Sequence, residues 1–479
     1  MKFSDIPMAL IGGKVPPGVP IAMSTSPWDG TDVGVHGLCG VEHLEAAIEI
    51  AVRGFQKTRR LAAFERSAIL SKVSTALERD ADLFAELITR EVGKPLRFSR
   101  VEVQRAVSTF AIAAEESKRI GGEIIPLDLN EASRGRVGLV RRFPIGVVAG
   151  ISPFNFPLNL VAHKLAPAMA SGNAFILKPA SVATLPALAL GRLILEAGYP
   201  EEAVNVVPAP GSIAERIVTD DRVGVLTFTG SAPVGWALKA KAGRKKVILE
   251  LGGNAGVIVD ASADLRDALE RIVIAAFAYS GQVCIKTQRV MVHRSLYDEF
   301  CSSFARMADA LPTGDPMDPA TVVGPMIDEE NVARVESWVS EAISAGARLL
   351  TTQRRSGRVV PPMVLVDAPP TAKVVCEEVF GPVMTLHPFT DFQEAIKEVN
   401  RSPFGLQAGV FTNDLSHAWQ AYEMLEVGGV ILNDTSSYRI DHMPYGGVKD
   451  SGFGREGVRY AIESMTEPRL LAIRTLGDA

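Results

Sequence analysis

The architecture of this chain is inferred from the segment Val223-Gly224-Val225-Leu226-Thr227-Phe228-Thr229-Gly230-Ser231-Ala232-Pro233-Val234-Gly235. Its apolar first half predicts a buried strand, and Pro233 suits the first turn of a following helix. Gly230 lets the backbone approach a ligand closely, and the free N–H groups at a helix start attract an anion such as a pyrophosphate. An ordinary strand-to-helix turn explains these residues equally well, because the segment lacks the GxGxxG pattern.

Short apolar strands alternate with helical stretches on both sides of this segment. Such regular alternation indicates a parallel, doubly wound sheet, and it occurs twice, so we expect an α/β fold with two doubly wound domains. The first set of predicted strands is 146–149, 174–177, 204–207, 223–228 and 247–249, with helices near 162–171, 185–197, 212–218 and 234–242. The second set of strands is 257–259, 290–292, 383–386, 409–411 and 430–432.

Two segments fit neither domain. Residues 121–140 alternate like a hairpin, and residues 469–473 resemble a single strand. Because lone hairpins and strands are only marginally stable, each is expected to pair with something, for example another subunit. The predicted division is 1–120 with 139–249, then 250–458, and a small β element from 121–138 and 459–479. This element would serve oligomerisation, and a homodimer or homotetramer is expected.

The composition excludes several classes of function. Charged residues make up 22% of the 479 residues and the net charge is -5, which indicates neither a nucleic-acid partner nor a membrane surface. The four cysteines have no paired spacing, so neither a disulfide framework nor a metal site is predicted. The N-terminus makes a poor signal peptide, and polar residues interrupt the longest apolar region, 145–177. We expect a cytoplasmic enzyme.

Cys284, in Tyr279-Ser280-Gly281-Gln282-Val283-Cys284-Ile285, and Glu250 are the candidate catalytic pair. A thiol among small residues can be approached by a substrate carbon, and a carboxylate can activate water, so together they suggest covalent chemistry followed by hydrolysis. A cysteine in an apolar run is otherwise typical of a packed core.

Two polar residues follow predicted strands. Prolines on both sides of Asn155 fix its backbone, so its amide could stabilise an oxyanion together with the backbone N–H of Cys284. An asparagine that only stabilises its loop is the alternative. Lys178, at the end of another strand, could bind a ribose or remain in water.

Seven motifs occur in one order along the chain. They are Phe154-Asn155-Phe156-Pro157, Lys178-Pro179-Ala180, Phe228-Thr229-Gly230-Ser231, Glu250-Leu251-Gly252-Gly253, Gly281-Gln282-Val283-Cys284, Glu378-Val379-Phe380-Gly381-Pro382 and Pro444-Tyr445-Gly446-Gly447. With these motifs the chain resembles the aldehyde dehydrogenase superfamily over residues 27–473.

The resemblance implies a reaction and a set of roles. Cys284 would attack the aldehyde carbon, Asn155 and the Cys284 amide would hold the oxyanion, and Glu250 would activate the water that hydrolyses the thioester. Lys164 and Glu467 match positions of a proton relay. The first domain would bind NAD or NADP through Ile151, Ser152, Phe154, Lys178, Ser181, Gly230, Ser231, Glu378 and Phe380, and the second would be catalytic.

Two positions refine the expected activity. CoA-acylating members generally lack the glutamate that is present here as Glu250, so release of a free acid is predicted. Ser181 replaces the glutamate with which many NAD-preferring members bind the adenosine ribose. A serine does not repel a 2′-phosphate, so NADP should be accepted, and a preference for NADP is compatible with this residue.

Phe156, Leu160 and His163 share one face of the helix after Asn155, and by resemblance this face lines the aldehyde tunnel. By the same resemblance, Arg105 lies on a helix that borders the tunnel, and Arg439 lies in a loop near its mouth. Arginines aimed at a tunnel suit a carboxylate or phosphate on the substrate. Local ion pairs, for example with Asp441, are the alternative.

Within the superfamily the sequence looks most similar to the lactaldehyde and succinate-semialdehyde branches. The expected substrate is therefore a small polar or anionic aldehyde, with succinate semialdehyde first. Lactaldehyde and phosphorylated or phosphono aldehydes are alternatives, although Val283 replaces the arginine typical of enzymes that oxidise glyceraldehyde 3-phosphate without phosphorylation. The more distant alternatives are a thioester-level reductase and a non-enzymatic structural protein of the same fold, like the lens crystallins related to this superfamily.

Overall fold

Two parallel sheets and one small antiparallel sheet organise the chain. The computed structural model describes residues 2–474. Its strands are β1 (Ile21–Thr25), β2 (Asp32–Gly37), β3 (Gly122–Pro126), β4 (Arg136–Pro144), β5 (Val147–Ile151), β6 (Ala174–Lys178), β7 (Val204–Val206), β8 (Val223–Thr229), β9 (Lys246–Glu250), β10 (Gly256–Val259), β11 (Arg289–His293), β12 (Arg348–Leu349), β13 (Met363–Val366), β14 (Val383–Phe389), β15 (Phe404–Gly405), β16 (Gln407–Phe411), β17 (Gly429–Leu432), β18 (Val448–Lys449), β19 (Gly452–Phe453) and β20 (Thr466–Arg474).

Helices cover both parallel sheets. They are α1 (Val41–Thr58), α2 (Ala63–Arg79), α3 (Ala81–Val92), α4 (Leu96–Ser117), α5 (Asn159–Ala170), α6 (Leu185–Glu196), α7 (Gly211–Thr219), α8 (Ala232–Lys241), α9 (Leu265–Phe277), α10 (Arg294–Asp309), α11 (Glu329–Ser344), α12 (Lys373–Cys376), α13 (Phe392–Asn400), α14 (Leu415–Met424) and α15 (Val458–Ser464).

The first sheet has the strand order β19-β9-β8-β5-β6-β7, and all its pairs are parallel except that of β19 with β9. Every residue of β5 and β6 is buried, as expected for central strands covered on both faces. The carboxyl ends of β5, β6, β8 and β9 meet at one edge of the sheet, where ligands bind in folds of this type.

The second sheet has the order β12-β13-β14-β11-β10-β16-β17, and only the pair β12–β13 is antiparallel. All ten predicted strands overlap observed ones, and the expected α/β class with two doubly wound sheets is confirmed. The sequence prediction missed the N-terminal hairpin β1–β2 and the strand β13.

The predicted hairpin and the C-terminal strand pair with each other in the sheet β20-β4-β3. The expectation that each segment pairs with something is met within one chain, because β4 accepts both neighbours. Strand β4 also extends to Pro144, beyond the boundary predicted at residue 138. Residues 475–479 of the predicted β element lie outside the described residues, and its role in oligomerisation stays a prediction.

Candidate active site

A cavity of about 770 Å³ lies at the carboxyl edge of the first sheet and reaches Cys284. Residues at or just beyond the carboxyl ends of β5, β6, β8 and β9 form its walls. The cavity is lined by twelve of the residues predicted from sequence: Ile151, Ser152, Phe154, Asn155, Leu160, Lys178, Ser181, Gly230, Ser231, Cys284, Glu378 and Phe380.

Cys284 follows a tight turn that only particular backbone conformations allow. Tyr279, Ser280 and Gly281 all have positive φ values, of 54°, 56° and 65°. A side chain on Gly281 would collide with the carbonyl oxygen of Gly381, so glycine is required there. The Cys284 sulfur lies 3.4 Å from the hydroxyl oxygen of Tyr445. Burial raises the pKa of the thiol to about 11, so the resting sulfur is protonated at neutral pH.

Asn155 points its amide toward the segment that carries the cysteine. Its Nδ2 donates to the carbonyl of Gln282 over 2.9 Å, and its own carbonyl accepts from Nζ of Lys94 over 3.0 Å. Within residues 2–474, no protein group accepts a hydrogen bond from the backbone N–H of Cys284. Two donors are therefore available near the sulfur for an oxyanion.

A buried ion pair that the sequence did not reveal fixes the loop of Asn155. Nζ of Lys94 lies 2.6 Å from Oε2 of Glu102, and both side chains are almost inaccessible to water. Oε1 of Glu102 accepts from the backbone N–H groups of Leu158 and Asn159, at the start of α5. The pair thus holds both the loop carbonyl and the helix start.

Glu250, at the end of β9, is buried and neither of its carboxyl oxygens has a hydrogen-bond partner among the described residues. Burial, followed by the nearby charge of Glu456, raises its pKa well above the usual value. The raised pKa favours the protonated carboxyl, which must lose its proton before it can act as a base.

Lys164, one of the two predicted relay residues, is paired with Glu456. Its Nζ lies 3.1 Å from Oε1 of Glu456 and 2.7 Å from the hydroxyl of Thr229. Glu467 instead lies on β20, is 55% exposed and pairs with Lys246 over 2.9 Å. Glu467 thus lies apart from Lys164, in the separate antiparallel sheet, and the relay role of these two residues stays a prediction.

The wall formed by β6 carries an unpaired cation. Lys178 is buried except for 7% of its surface, and burial lowers its pKa. It has no ion-pair partner among residues 2–474, and neighbouring Ser181 is exposed. Gly230 and Ser231 precede α8, whose first N–H groups lie at the adjacent wall. This arrangement suits a phosphate-bearing ligand.

The opposite wall is formed by Glu378 and two aromatic rings. Oε1 of Glu378 accepts from the N–H of Gly253 over 2.9 Å, and burial raises its pKa to about 7. The rings of Phe154 and Phe380 meet edge to face with centroids 6.0 Å apart. Sequence reasoning missed Arg334 and Trp338 of α11, which also line the cavity; neither belongs to a recognised motif.

Arg105 is bound by an acid within the chain. Its guanidinium makes two hydrogen bonds to Asp441, of 2.7 and 3.3 Å. His163 and Asn159 bind the same carboxylate over 2.8 and 3.1 Å. Burial raises the pKa of Asp441, but His163 and Arg105 outweigh it and hold the pKa well below its usual range. The alternative of a local ion pair is therefore the one observed, although Arg105 remains 23% exposed.

Arg439 lies in a loop, as predicted, and its side chain is buried. Only 5% of its side chain is exposed, and Nη2 lies 3.1 Å from Oε2 of Glu456. Phe156 lies under Nζ of Lys94, 3.3 Å from the ring centroid. Of the five predicted substrate residues, Leu160 alone lines the cavity, and Arg105, Phe156, His163 and Arg439 lie outside its lining.

Residues 2–474 hold neither a metal-binding cluster nor a membrane-spanning helix. No group of three or more His, Cys, Asp and Glu side chains is placed to hold a metal ion. In the same part of the chain, each helix is too short or too polar to cross a membrane.

The aldehyde dehydrogenase family profile matches residues 21–471, and the chain belongs to this family. It is accordingly an oxidoreductase that acts on aldehydes. The 3-sulfolactaldehyde dehydrogenase of Priestia aryabhattai is 45% identical over 411 residues, which are 86% of each chain.

Two solved structures extend the comparison. Aldehyde dehydrogenase 21 from Physcomitrella patens, in complex with the reaction product succinate, has a TM-score of 0.96 and 43% identity, with 99% of each chain covered. The NADP-dependent glyceraldehyde-3-phosphate dehydrogenase from Bacillus halodurans C-125, complexed with NADP, has a TM-score of 0.95 and 33% identity, with 98% of this chain and 99% of that chain covered.

Proposed function

We propose that this enzyme oxidises a short aldehyde with an anionic far end to the free carboxylic acid, with NADP as an accepted cofactor and NAD as the alternative. The observation that carries this proposal is the placement of Cys284 and Asn155 at one cavity with Lys178, Glu378 and Phe380. A thiol and an amide donor form the reacting end, and the walls toward β6 and α8 suit a dinucleotide.

The first half of the reaction uses Cys284 and Asn155. The thiol loses its proton to water, and Sγ then bonds to the carbonyl carbon of the aldehyde, so that a thiohemiacetal oxyanion forms. Nδ2 of Asn155 and the N–H of Cys284 donate to that oxygen. The nicotinamide cofactor supplies the acceptor for the hydride that leaves the carbon, and a thioester on Cys284 remains.

The second half of the reaction uses Glu250. Its carboxylate takes a proton from the water that attacks the thioester carbon, and the carbon–sulfur bond then breaks to release the acid and the Cys284 thiolate. In the observed position the carboxyl is buried beside Glu456 and Lys164. We propose that Lys164 and Glu456, rather than Glu467, relay the proton that Glu250 must lose before the next turnover.

The cofactor proposal is supported by the cation of Lys178 and by the serine at position 181. An unpaired buried cation beside an uncharged, exposed residue accommodates a 2′-phosphate better than a carboxylate would. The Bacillus halodurans relative is described as an NADP complex, which agrees with this expectation.

The substrate proposal rests on the relatives together with the cationic groups near the cavity. One relative is named for 3-sulfolactaldehyde and another holds succinate, so both names describe a short molecule with a sulfonate or carboxylate at its far end. Arg105 is the residue we assign to that anion, although it lies outside the cavity lining and is bound to Asp441, because 23% of its side chain remains exposed. We place 3-sulfolactaldehyde first and succinate semialdehyde, the first expectation from sequence, second.

The test compares 3-sulfolactaldehyde, succinate semialdehyde, lactaldehyde and propanal with each cofactor, by absorbance of the reduced nicotinamide. We expect the anionic aldehydes to have the highest kcat/KM, and Arg105→Ala to raise KM for them while sparing propanal. Equal effects on propanal would refute the anion site. Cys284→Ser should abolish oxidation of every substrate, and activity retained at full rate would refute the mechanism.

A further inference from the structure

Tyr445 has a buried hydroxyl whose hydrogen-bond partner is the reactive sulfur. Its side chain is 3% exposed, and its oxygen lies 3.4 Å from Sγ of Cys284. Within residues 2–474, no other group is within hydrogen-bond distance of this hydroxyl. Because a buried O–H group needs a hydrogen-bond partner, the sulfur of Cys284 is the acceptor available to this phenol.

The ring of Tyr445 is held between backbone and cation. The backbone N–H of Tyr445 donates to the backbone carbonyl of Glu456 over 3.1 Å, and the backbone N–H of Glu456 donates to the carbonyl of Tyr445 over 2.6 Å. The guanidinium carbon of Arg439 lies 3.6 Å from the centroid of the ring, while Arg439 also binds the Glu456 side chain. A cation on the face of a phenol draws electron density from it and makes its O–H a stronger donor.

We propose that Tyr445 is a catalytic residue that donates its phenolic hydrogen to Sγ of Cys284 and so stabilises the thiolate, with Arg439 as the positioning residue behind its ring. This proposal rests on the nucleophilic role of Cys284 proposed above. The phenolic hydrogen is shared and never transferred. The thiol proton goes to water, and Tyr445 gives the thiolate one donor before and after each turnover.

The electrostatics of the site agree with this role. Burial raises the pKa of the thiol, whereas the hydrogen bond from Tyr445 and the charge of Arg439 lower it. Burial also raises the pKa of Tyr445 well above its ordinary value, so the phenol keeps its hydrogen throughout the working pH range. A donor that never deprotonates is what a nucleophile in an apolar pocket requires.

The closing experiment measures the pH dependence of alkylation of Cys284 by iodoacetamide in the enzyme without substrate. Tyr445→Phe removes one oxygen and should raise the thiol pKa by about one unit, which slows alkylation at pH 8 about tenfold. Tyr297→Phe is the matched control, since Tyr297 is also buried and donates to the carbonyl of Leu386, far from the sulfur. An unchanged thiol pKa in Tyr445→Phe overturns the proposal.

A second variant keeps the proposal testable if Tyr445→Phe does not fold. Incorporation of 3,5-difluorotyrosine at position 445 preserves the ring and strengthens its donor, so the thiol pKa should fall rather than rise. A thiol pKa equal to that of the wild type in this variant overturns the proposal as well.

Peptide mapping separates the two ideas that meet at this site. Alkylation that inactivates the wild type but labels a residue other than Cys284 contradicts the proposed function itself. Labelling of Cys284 with the same pH profile in wild type and Tyr445→Phe contradicts only the role of Tyr445.

Discussion

Nζ of Lys164 lies 3.1 Å from Oε1 of Glu456, and neither side chain is more than 1% exposed. Both lie beside Glu250, whose carboxyl has no hydrogen-bond partner within residues 2–474. The Glu456 carboxylate is held ionised because Lys164 and Arg439 outweigh its burial, and its pKa falls to about 2. Burial raises the pKa of the neighbouring Glu250 most, and the fixed negative charge of Glu456 raises it further.

Glu456→Gln should therefore lower the pKa of Glu250. The basic form of Glu250 would then exist at lower pH, so the acid limb of the thioester hydrolysis rate should move to lower pH. Loss of one partner from a buried pair should also reduce the free energy of unfolding by about 3–5 kcal/mol. Rapid-mixing measurements of hydrolysis from pH 5 to 9 check the first effect, and urea unfolding checks the second.

The control for this variant is Glu463→Gln, because Glu463 makes only a loose ion pair with Arg459 at 3.5 Å and is 49% exposed. Its pH profile and its stability should match those of the wild type. An acid limb that stays in place in Glu456→Gln would show that Glu456 does not control Glu250.

The pair Lys94–Glu102 leads to a prediction that separates stability from catalysis. Lys94→Met leaves a buried carboxylate unpaired and should reduce the free energy of unfolding by about 3–5 kcal/mol. Adding Glu102→Gln removes that charge, and the new amide oxygen can still accept from Leu158 and Asn159, so most of the stability should return.

Catalysis should not return with stability in this double variant, because the carbonyl of Asn155 still lacks its donor. We expect kcat to remain about 10- to 100-fold low, as for other small displacements of an oxyanion donor. The single variant Glu102→Gln, with Lys94 present, is the control. Full recovery of kcat in the double variant would mean that the pair serves stability alone.

Much of the fold could be predicted from sequence because the pattern that marks each strand lies within the strand itself. Strands β5 and β6 are apolar throughout because parallel central strands are buried on both faces, so their pattern needs no knowledge of distant residues. Cys284 and Asn155 were found in the same way, through short motifs at strand ends and tight turns.

The parts that sequence could not supply depend on contacts between distant segments. Glu456 and Glu467 are both acidic residues near the C-terminus, and only the fold places the first beside Lys164 and the second on an outward strand. Arg439 lies in a loop, as the sequence suggests, but the sequence does not show that Glu456 and Tyr445 enclose its side chain. Long-range charge pairing leaves no periodic pattern that could be recognised.

The turn before the nucleophile gives a prediction with an internal control. Gly281 and Gly243 have similar positive φ values, 65° and 62°, so alanine should be strained by about 1 kcal/mol at either position. At Gly281 the new methyl would also collide with the carbonyl of Gly381, whereas at Gly243 nothing lies within 4 Å. The free energy of unfolding should therefore fall by about 2 kcal/mol more in Gly281→Ala than in Gly243→Ala. Of the two variants, Gly281→Ala alone should lose activity. Equal losses in urea unfolding would show that the turn can relax.

The last prediction concerns the cofactor and the residue at position 181. Ser181→Glu places a carboxylate beside the wall where Lys178 lies unpaired within the described chain, and it should repel a 2′-phosphate while leaving room for a ribose. We expect kcat/KM with NADP to fall about 100-fold, or about 2.7 kcal/mol, and the value with NAD to change much less. Ser302→Glu, on an exposed face of α10, adds the same charge far from the cavity and should alter neither value. If the ratio of the two efficiencies stays the same in Ser181→Glu, the 2′-phosphate is bound elsewhere. At the ionic strength of the assay, salt would not screen the repulsion between a carboxylate and an adjacent phosphate.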